Sequence, residues 1–112
     1  MSEIRLSKNQ KDALFILALL ESNGHADFVS AEKVRQMVES PRPSLVDPAN
    51  FRKGLHTLHS RGSIDLERKR DLSLVVKLTR PGRHQAAKIY RERTGTELDV
   101  PAVADDQMTI FE

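Results

Sequence analysis

With 112 residues, the chain has room for one domain and a modest core, and small domains of this size often gain stability by oligomerising. Cysteine is absent, which excludes disulfides, thiol nucleophiles and thiolate metal ligands together and is compatible with a reducing compartment. The formal net charge of +2 conceals an asymmetry: residues 1–49 carry six basic and seven acidic side chains, residues 50–94 carry twelve and four, and residues 95–112 carry none and five, so a polyanion would bind the middle stretch.

Taken in chain order, Ser7 is placed to cap a helix over 7–22, SKNQKDALFILALLES, with Leu6 stapling against its first turns. Ala13, Leu14, Leu17, Ala18 and Leu20 are its expected core positions. Phe15, Ile16 and Leu19 widen the apolar arc, as in a helix that is either central or shared with a partner subunit. Its apolar run, 13–20, is too short to span a bilayer, and MSEIRLSKNQ has no apolar signal core, so the expected location is cytoplasmic, with no membrane partner. Asn23-Gly24 ends this helix, and ADFV at 26–29 is compatible with a short strand. Ser30 caps a second helix, AEKVRQMVES, whose apolar face is Val34, Met37 and Val38; SPRPSLV at 40–46 is a loop, since proline cannot continue a helix.

DPANFRKGLHTLHSRG, 47–62, has a defined start, with Asp47 as cap and Pro48 at the first helical position. Phe51, Leu55 and Leu58 fall at helical spacing and face inward, leaving Asn50, Arg52, Lys53, His56, Thr57, Ser60 and Arg61 for the other faces. Gly54 inside this helix costs about 1 kcal/mol relative to alanine and suggests a close approach, by protein or by phosphate. Gly62 ends the helix and the period changes. SIDLERK alternates Ile64, Leu66 and Arg68, LSLVVKLT alternates Leu72, Leu74, Val76 and Leu78, and RKRD at 68–71 joins them as a hairpin with a basic tip. TRPG at 79–82 then opens a helix, with Thr79 as cap and Pro81 near its first turn. RHQAAKIYRER packs through Ala86, Ile89 and Tyr90, and Gly95 stops it. No periodicity follows from 96, so the expected division is a domain over 1–95 and an acidic, flexible tail over 96–112.

Helix, short strand, helix, helix, hairpin, helix is an order that resembles the winged helix-turn-helix domain of MarR-like and PadR-like regulators, over roughly residues 5–93. The resemblance is strongest in LVVKLTRPGRHQAAKIY, where Leu78, Thr79, Gly82 and Arg83 hold the family's leucine–threonine, two-residue spacer and glycine–arginine positions. It implies an α+β fold, a winged helix-turn-helix with a C-terminal helix after the wing. It further implies double-stranded DNA binding by a small transcriptional regulator, most naturally a repressor acting by occlusion. Helix 47–61 would lie in a major groove, presenting Asn50, Arg52, Lys53, His56, Thr57 and Arg61. The wing, 65–73, would carry Arg68, Lys69 and Arg70 to the backbone or to an adjacent minor groove. Such regulators usually dimerise, and helices 7–22 and 83–93 are the expected homodimer surfaces.

Two other functions fit parts of the chain. QMTIF at 107–111 resembles the clamp-binding peptide of bacterial replication and repair proteins, with Gln107, Met108, Thr109, Ile110 and Phe111 at its five positions and isoleucine in place of the usual leucine. That likeness implies an accessory protein of replication, repair or a mobile element, tethered to a sliding clamp. Met108, Ile110 and Phe111 would equally pack on the domain itself or on a partner subunit. A winged helix used only for protein contacts is the other alternative, since fold does not dictate function. Enzymatic chemistry is not expected. Glycines stand singly at 24, 54, 62, 82 and 95, so no phosphate-cradling loop exists, no serine has a triad context, and Asp65 and Glu67 read as charge complementation on a basic hairpin. His56 and His59 lie three apart with no third ligand nearby in sequence, so neither metal nor other cofactor is expected.

Overall fold

Four helix starts are set by the side chains that the sequence nominates. In the computed structural model, which describes residues 5–95, the Ser7 hydroxyl accepts the Gln10 N–H (3.1 Å) and the Gln10 side chain accepts the Ser7 N–H (2.9 Å), a capping box that opens α1, Lys8–Ser22. Ser30 accepts from Lys33 to open α2, Ala31–Glu39, and Asp47 accepts from Asn50 to open α3, Pro48–Ser60. Thr79 accepts from Gly82 to open α4, Arg80–Thr94, which ends on Gly95 in the left-handed region, at φ +75°.

Three antiparallel strands complete the fold: β1 (Val29–Ser30), β2 (Ile64–Arg68) and β3 (Leu74–Leu78), in the spatial order β1-β3-β2. Val76 lies opposite Val29 on one side and Leu66 on the other. β1 is later and shorter than ADFV suggests, because the Phe28 N–H is taken by the Asp27 carboxylate (2.7 Å) rather than by a strand. The arrangement is an α+β winged helix-turn-helix with β2 and β3 as the wing and α4 following it.

α1 is the central element, packed against α2, α3, α4 and β3. Leu14, Leu17, Val34, Phe51, Leu55, Leu58, Ile64, Val76 and Leu78 form the middle of the core. Leu20, expected among them, is only half-buried at the edge, as are Phe15 and Ile16, while Phe15 stacks on Tyr90 at 5.7 Å between ring centroids. In place of Leu20, α1 buries polar groups. Asp12 accepts from Arg42 of the α2–α3 loop and from Arg93 of α4, and Glu21 pairs with Arg83 of α4 at 2.9 Å. A helix enclosed by neighbours buries its polar positions along with its apolar ones, and each buried charge is then matched.

The hairpin tip differs from the sequence reading. Alternation places Leu72 at the start of the second strand, yet β3 begins at Leu74 and Leu72 sits in the turn at φ +73°, 68% exposed. The Leu72 N–H donates to the Lys69 carbonyl (2.9 Å) and the Lys69 N–H to the Ser73 carbonyl (2.8 Å). This tight turn inserts a left-handed residue that the period-two pattern cannot register.

Two glycines of the sequence acquire distinct reasons. A Cβ on Gly82 would lie 1.8 Å from the Ser63 carbonyl oxygen, so the start of α4 docks onto the start of the wing only through glycine. Thr79 secures the same junction, its N–H donating to the Ser63 carbonyl (3.1 Å) and its hydroxyl to the Gly62 carbonyl. At Gly54 the close approach is by protein: the Gln10 amide donates to the Gly54 carbonyl at 3.2 Å. Among the described residues no helix is long and apolar enough to cross a membrane.

Candidate nucleic-acid interface

α3 is divided by its own periodicity. At about 100° per residue, Phe51, Leu55 and Leu58 point one way, Lys53, His56 and Ser60 point opposite, and the remaining polar residues occupy two flanks. Arg52 lies on one flank; Asn50, Thr57 and Arg61 lie on the other, which also carries Gly54 and so faces α1. Asn50, Arg52, Lys53, His56 and Arg61 are exposed, whereas Thr57 is half-buried and its hydroxyl donates to the Lys53 carbonyl (3.2 Å). Arg61 caps the C-terminal end, about 13 Å along the axis from Arg52, and its guanidinium donates to the Arg5 carbonyl at 3.4 Å.

The loop entering α3 is held by α2. Arg35 Nη1 donates to the Val46 carbonyl (3.0 Å), and Glu39 Oε2 accepts the Val46 N–H (2.8 Å), so both backbone groups of the residue before the Asp47 cap are fixed. Arg35 also bridges Glu32 and Glu39, which lie one turn before and after it. The Glu32 carboxyl is held below its ordinary range, first by the hydrogen bond from Arg35 and in smaller part by the charge of Arg52. The sequence reading missed Arg35 and Glu39 as positioning residues; the i, i+4 spacing of opposite charges was the available signal.

On the wing, Arg68, Lys69 and Arg70 are all exposed. Arg68 directs Nη1 to the Leu72 carbonyl (2.8 Å), so part of its donor capacity braces the turn. Asp71 is turned inward on the tip, its Oδ1 accepting the Ser73 N–H (3.0 Å) and the Ser73 hydroxyl (2.6 Å), and the hydroxyl bond leads the causes that lower its pKa. The side chains of Lys53, Lys69 and Arg70 make no hydrogen bond or salt bridge among the described residues. Asp65 lies opposite Lys77 across the β2–β3 ladder.

α3 and the wing meet at an open cleft of about 420 Å³. Arg52 and Arg68 line it, Arg35 and Glu32 close its α2 side, and Phe51 and Leu72 also contribute. The structure thus brings Arg52 and Arg68 together, whereas Arg61 belongs to the far end of α3. A groove with exposed cations on both walls and on the adjoining tip suits a polyanion whose charges are spaced along a line. Among the described residues, no group of three histidine, cysteine, aspartate or glutamate side chains is placed to hold a metal ion. Gln107, Met108, Ile110 and Phe111, with the rest of the tail, lie outside the described residues.

No protein-family model matches the sequence, and no curated protein sequence is significantly similar. Solved structures are similar. The adhesin competence repressor AdcR from Streptococcus pyogenes superposes with a TM-score of 0.60 at 11% identity, over 80% of this chain and 58% of that one. The zinc-responsive MarR family member ZitR from Lactococcus lactis gives 0.57 at 20% identity, over 81% and 55%. SSV1 F-93 gives 0.54 at 17% identity, over 82% of this chain and 90% of that one. The chain spans little more than half the length of the first two, and the likeness establishes the fold they share with it.

Proposed function

We propose that the chain binds double-stranded DNA and regulates transcription, with α3 in a major groove and the wing on the flanking backbone. The observation that carries this is the cleft that Arg52 of α3 and Arg68 of the wing share, with further exposed cations on the same two elements, Lys53 on α3 and Lys69 and Arg70 on the wing. A winged helix serving protein contacts alone would have little use for this concentration of exposed positive charge. Asn50, Arg52, Lys53, His56, Thr57 and Arg61 are the proposed helix contacts, and Arg68, Lys69 and Arg70 the wing contacts. Repression by occlusion is the proposed mode, since it needs no surface beyond the one holding DNA. The proposed assembly is a homodimer through α1 and α4, reading two half-sites about one helical turn apart. Residues 1–95 are the proposed DNA-binding domain and 96–112 an appended acidic tail.

Duplex binding measured across a salt series tests the reading. Affinity is expected to fall steeply with salt, by roughly one unit of log–log slope for each neutralised phosphate. Absence of binding at low salt would sink it. Genome-wide crosslinking of the intact protein beside a version ending at residue 104 then separates regulator from accessory protein. Discrete palindromic sites that survive truncation are the expected result. Diffuse signal lost on truncation would favour clamp tethering through residues 107–111, a reading that rests on their sequence.

A further inference from the structure

The wing tip holds a leucine where turn chemistry favours glycine or asparagine. Leu72 has φ +73°, and among the described residues it is the one non-glycine with positive φ. That conformation costs a leucine on the order of 1 kcal/mol or more. Two large apolar side chains are exposed among the described residues, Leu45 at 86% and Leu72 at 68%, and Leu72 alone combines exposure with a left-handed backbone. The turn does not require it, because glycine would adopt the same φ without strain. Nor does the core, because the side chain is mostly in water.

The conformation is nonetheless fixed from several sides. Arg68 donates to the Leu72 carbonyl, the Leu72 N–H donates to Lys69, the Lys69 N–H donates to Ser73, and Asp71 receives both the N–H and the hydroxyl of Ser73. These bonds hold one mostly exposed apolar side chain at a narrow tip, next to the exposed cations Lys69 and Arg70 and at the edge of the cleft that Leu72 lines with Arg68 and Arg52. The pairing of a single apolar residue with flanking cations matches a DNA minor groove. Such a groove is about 6 Å wide, its walls are apolar sugar edges, and phosphates run along both rims. Leucine is among the side chains that proteins insert there.

We infer that Leu72 is a minor-groove contact that senses groove shape, favouring base pairs without the guanine 2-amino group beneath the wing. This rests on the DNA-binding reading above. The braced turn orients the side chain, Arg68 positions it through the carbonyl bond, and Lys69 and Arg70 engage the rims. The 2-amino group of guanine projects from the groove floor where the leucine would sit, while A·T pairs leave that space open.

The test compares wild type, Leu72→Gly and Leu72→Asn, both substitutes tolerating positive φ. Binding is measured on a mixed-sequence duplex of about two helical turns and on the same duplex with inosine for guanine, which strips the minor-groove amino group and preserves the major-groove pattern. Both variants are expected to melt at or above the wild-type temperature, to bind about five- to tenfold more weakly, and to keep the wild-type salt slope, since no charge is removed. Wild type is expected to gain severalfold from inosine and the variants to gain little. Wild-type affinity in both variants, a lowered melting temperature, or an equal inosine gain in all three proteins would overturn the inference. If the wild type binds neither duplex at any salt, the DNA-binding reading itself fails and the inference falls with it; wild-type binding with indifferent variants removes only the role of Leu72.

Discussion

Arginines on two sides of this molecule have opposite surroundings. Arg42 and Arg83 are mostly buried, their side chains 17% and 12% exposed, and each meets a carboxylate of α1. Arg93 joins Arg42 on Asp12 and lies over the Phe15 ring at 4.9 Å. Arg52 and Arg70, by contrast, stand in solvent on α3 and the wing. The excess of positive charge over residues 50–94 therefore mixes two populations. Arg83 and Arg93 are matched by acids from the first part of the chain and contribute little outward field, so the proposed binding face depends on fewer cations than the charge count suggests.

Substitutions should separate the scaffold side from the open side, and the largest loss of stability is expected where backbone meets backbone. Gly82→Ala drives a methyl into the Ser63 carbonyl and should cost more than about 3 kcal/mol in urea denaturation. Near-normal stability would mean that α4 is not docked on the wing in this way. Asp12→Ala strands Arg42 and Arg93 and is expected to cost about 3 kcal/mol at neutral pH.

That loss has a pH signature. Burial by itself would raise the Asp12 pKa, but the hydrogen bonds from Arg42 and Arg93, with the charges of Arg93 and Lys8, bring the net shift below the ordinary value. A carboxyl depressed on folding stabilises above its unfolded pKa, about 3.9, and the benefit disappears as pH falls through the folded value. The gap between wild type and Asp12→Ala should thus be full near neutrality and narrow progressively under acid. A gap that persists unchanged at low pH would assign the loss to packing.

Gly54→Ala is expected to act in the other direction. A Cβ there meets Gln10 Cγ at 3.4 Å, an ordinary contact, so the gain in helix propensity of up to about 1 kcal/mol should be largely retained. The smallest stability effect, within about 0.5 kcal/mol, is expected for Lys53→Ala and Arg70→Ala, which lose no partner within the domain. Each should instead lower the salt slope of duplex binding by roughly one. If either unfolds the protein, the distinction between the two populations fails at that residue.

Much of this architecture is legible in the sequence because its determinants are local. Ser7, Ser30, Asp47 and Thr79 cap helices through residues three positions away, and Phe51, Leu55 and Leu58 declare the inner face of α3 by spacing alone. The solvent-facing candidates of α3 follow from the same spacing. Leu72 misleads for a physical reason: alternation continues through it, while the turn depends on a backbone conformation that leucine seldom signals. Asp12 and Glu21 carry no local signal of burial, because their partners lie 30 to 81 positions away. The grip of Arg35 on the Val46 carbonyl is hidden likewise, as side-chain-to-backbone bonds across a loop leave no periodic trace.

The buried carboxylates of α1 also order events in time. Asp12 and Glu21 leave the ribosome early, whereas Arg83 and Arg93 come 62 and 81 residues later. Until then the Glu21 carboxylate must either stay in water or be buried unmatched, and Asp12 has Arg42 and Lys8 but not Arg93, so α1 cannot complete its packing at the centre of the domain while the wing is still being made. Completion of the native core is thereby tied to the arrival of α4, and the domain is expected to finish folding in one late step. A nascent chain stalled after the wing would hold every residue proposed to touch DNA, yet have no finished body to present them.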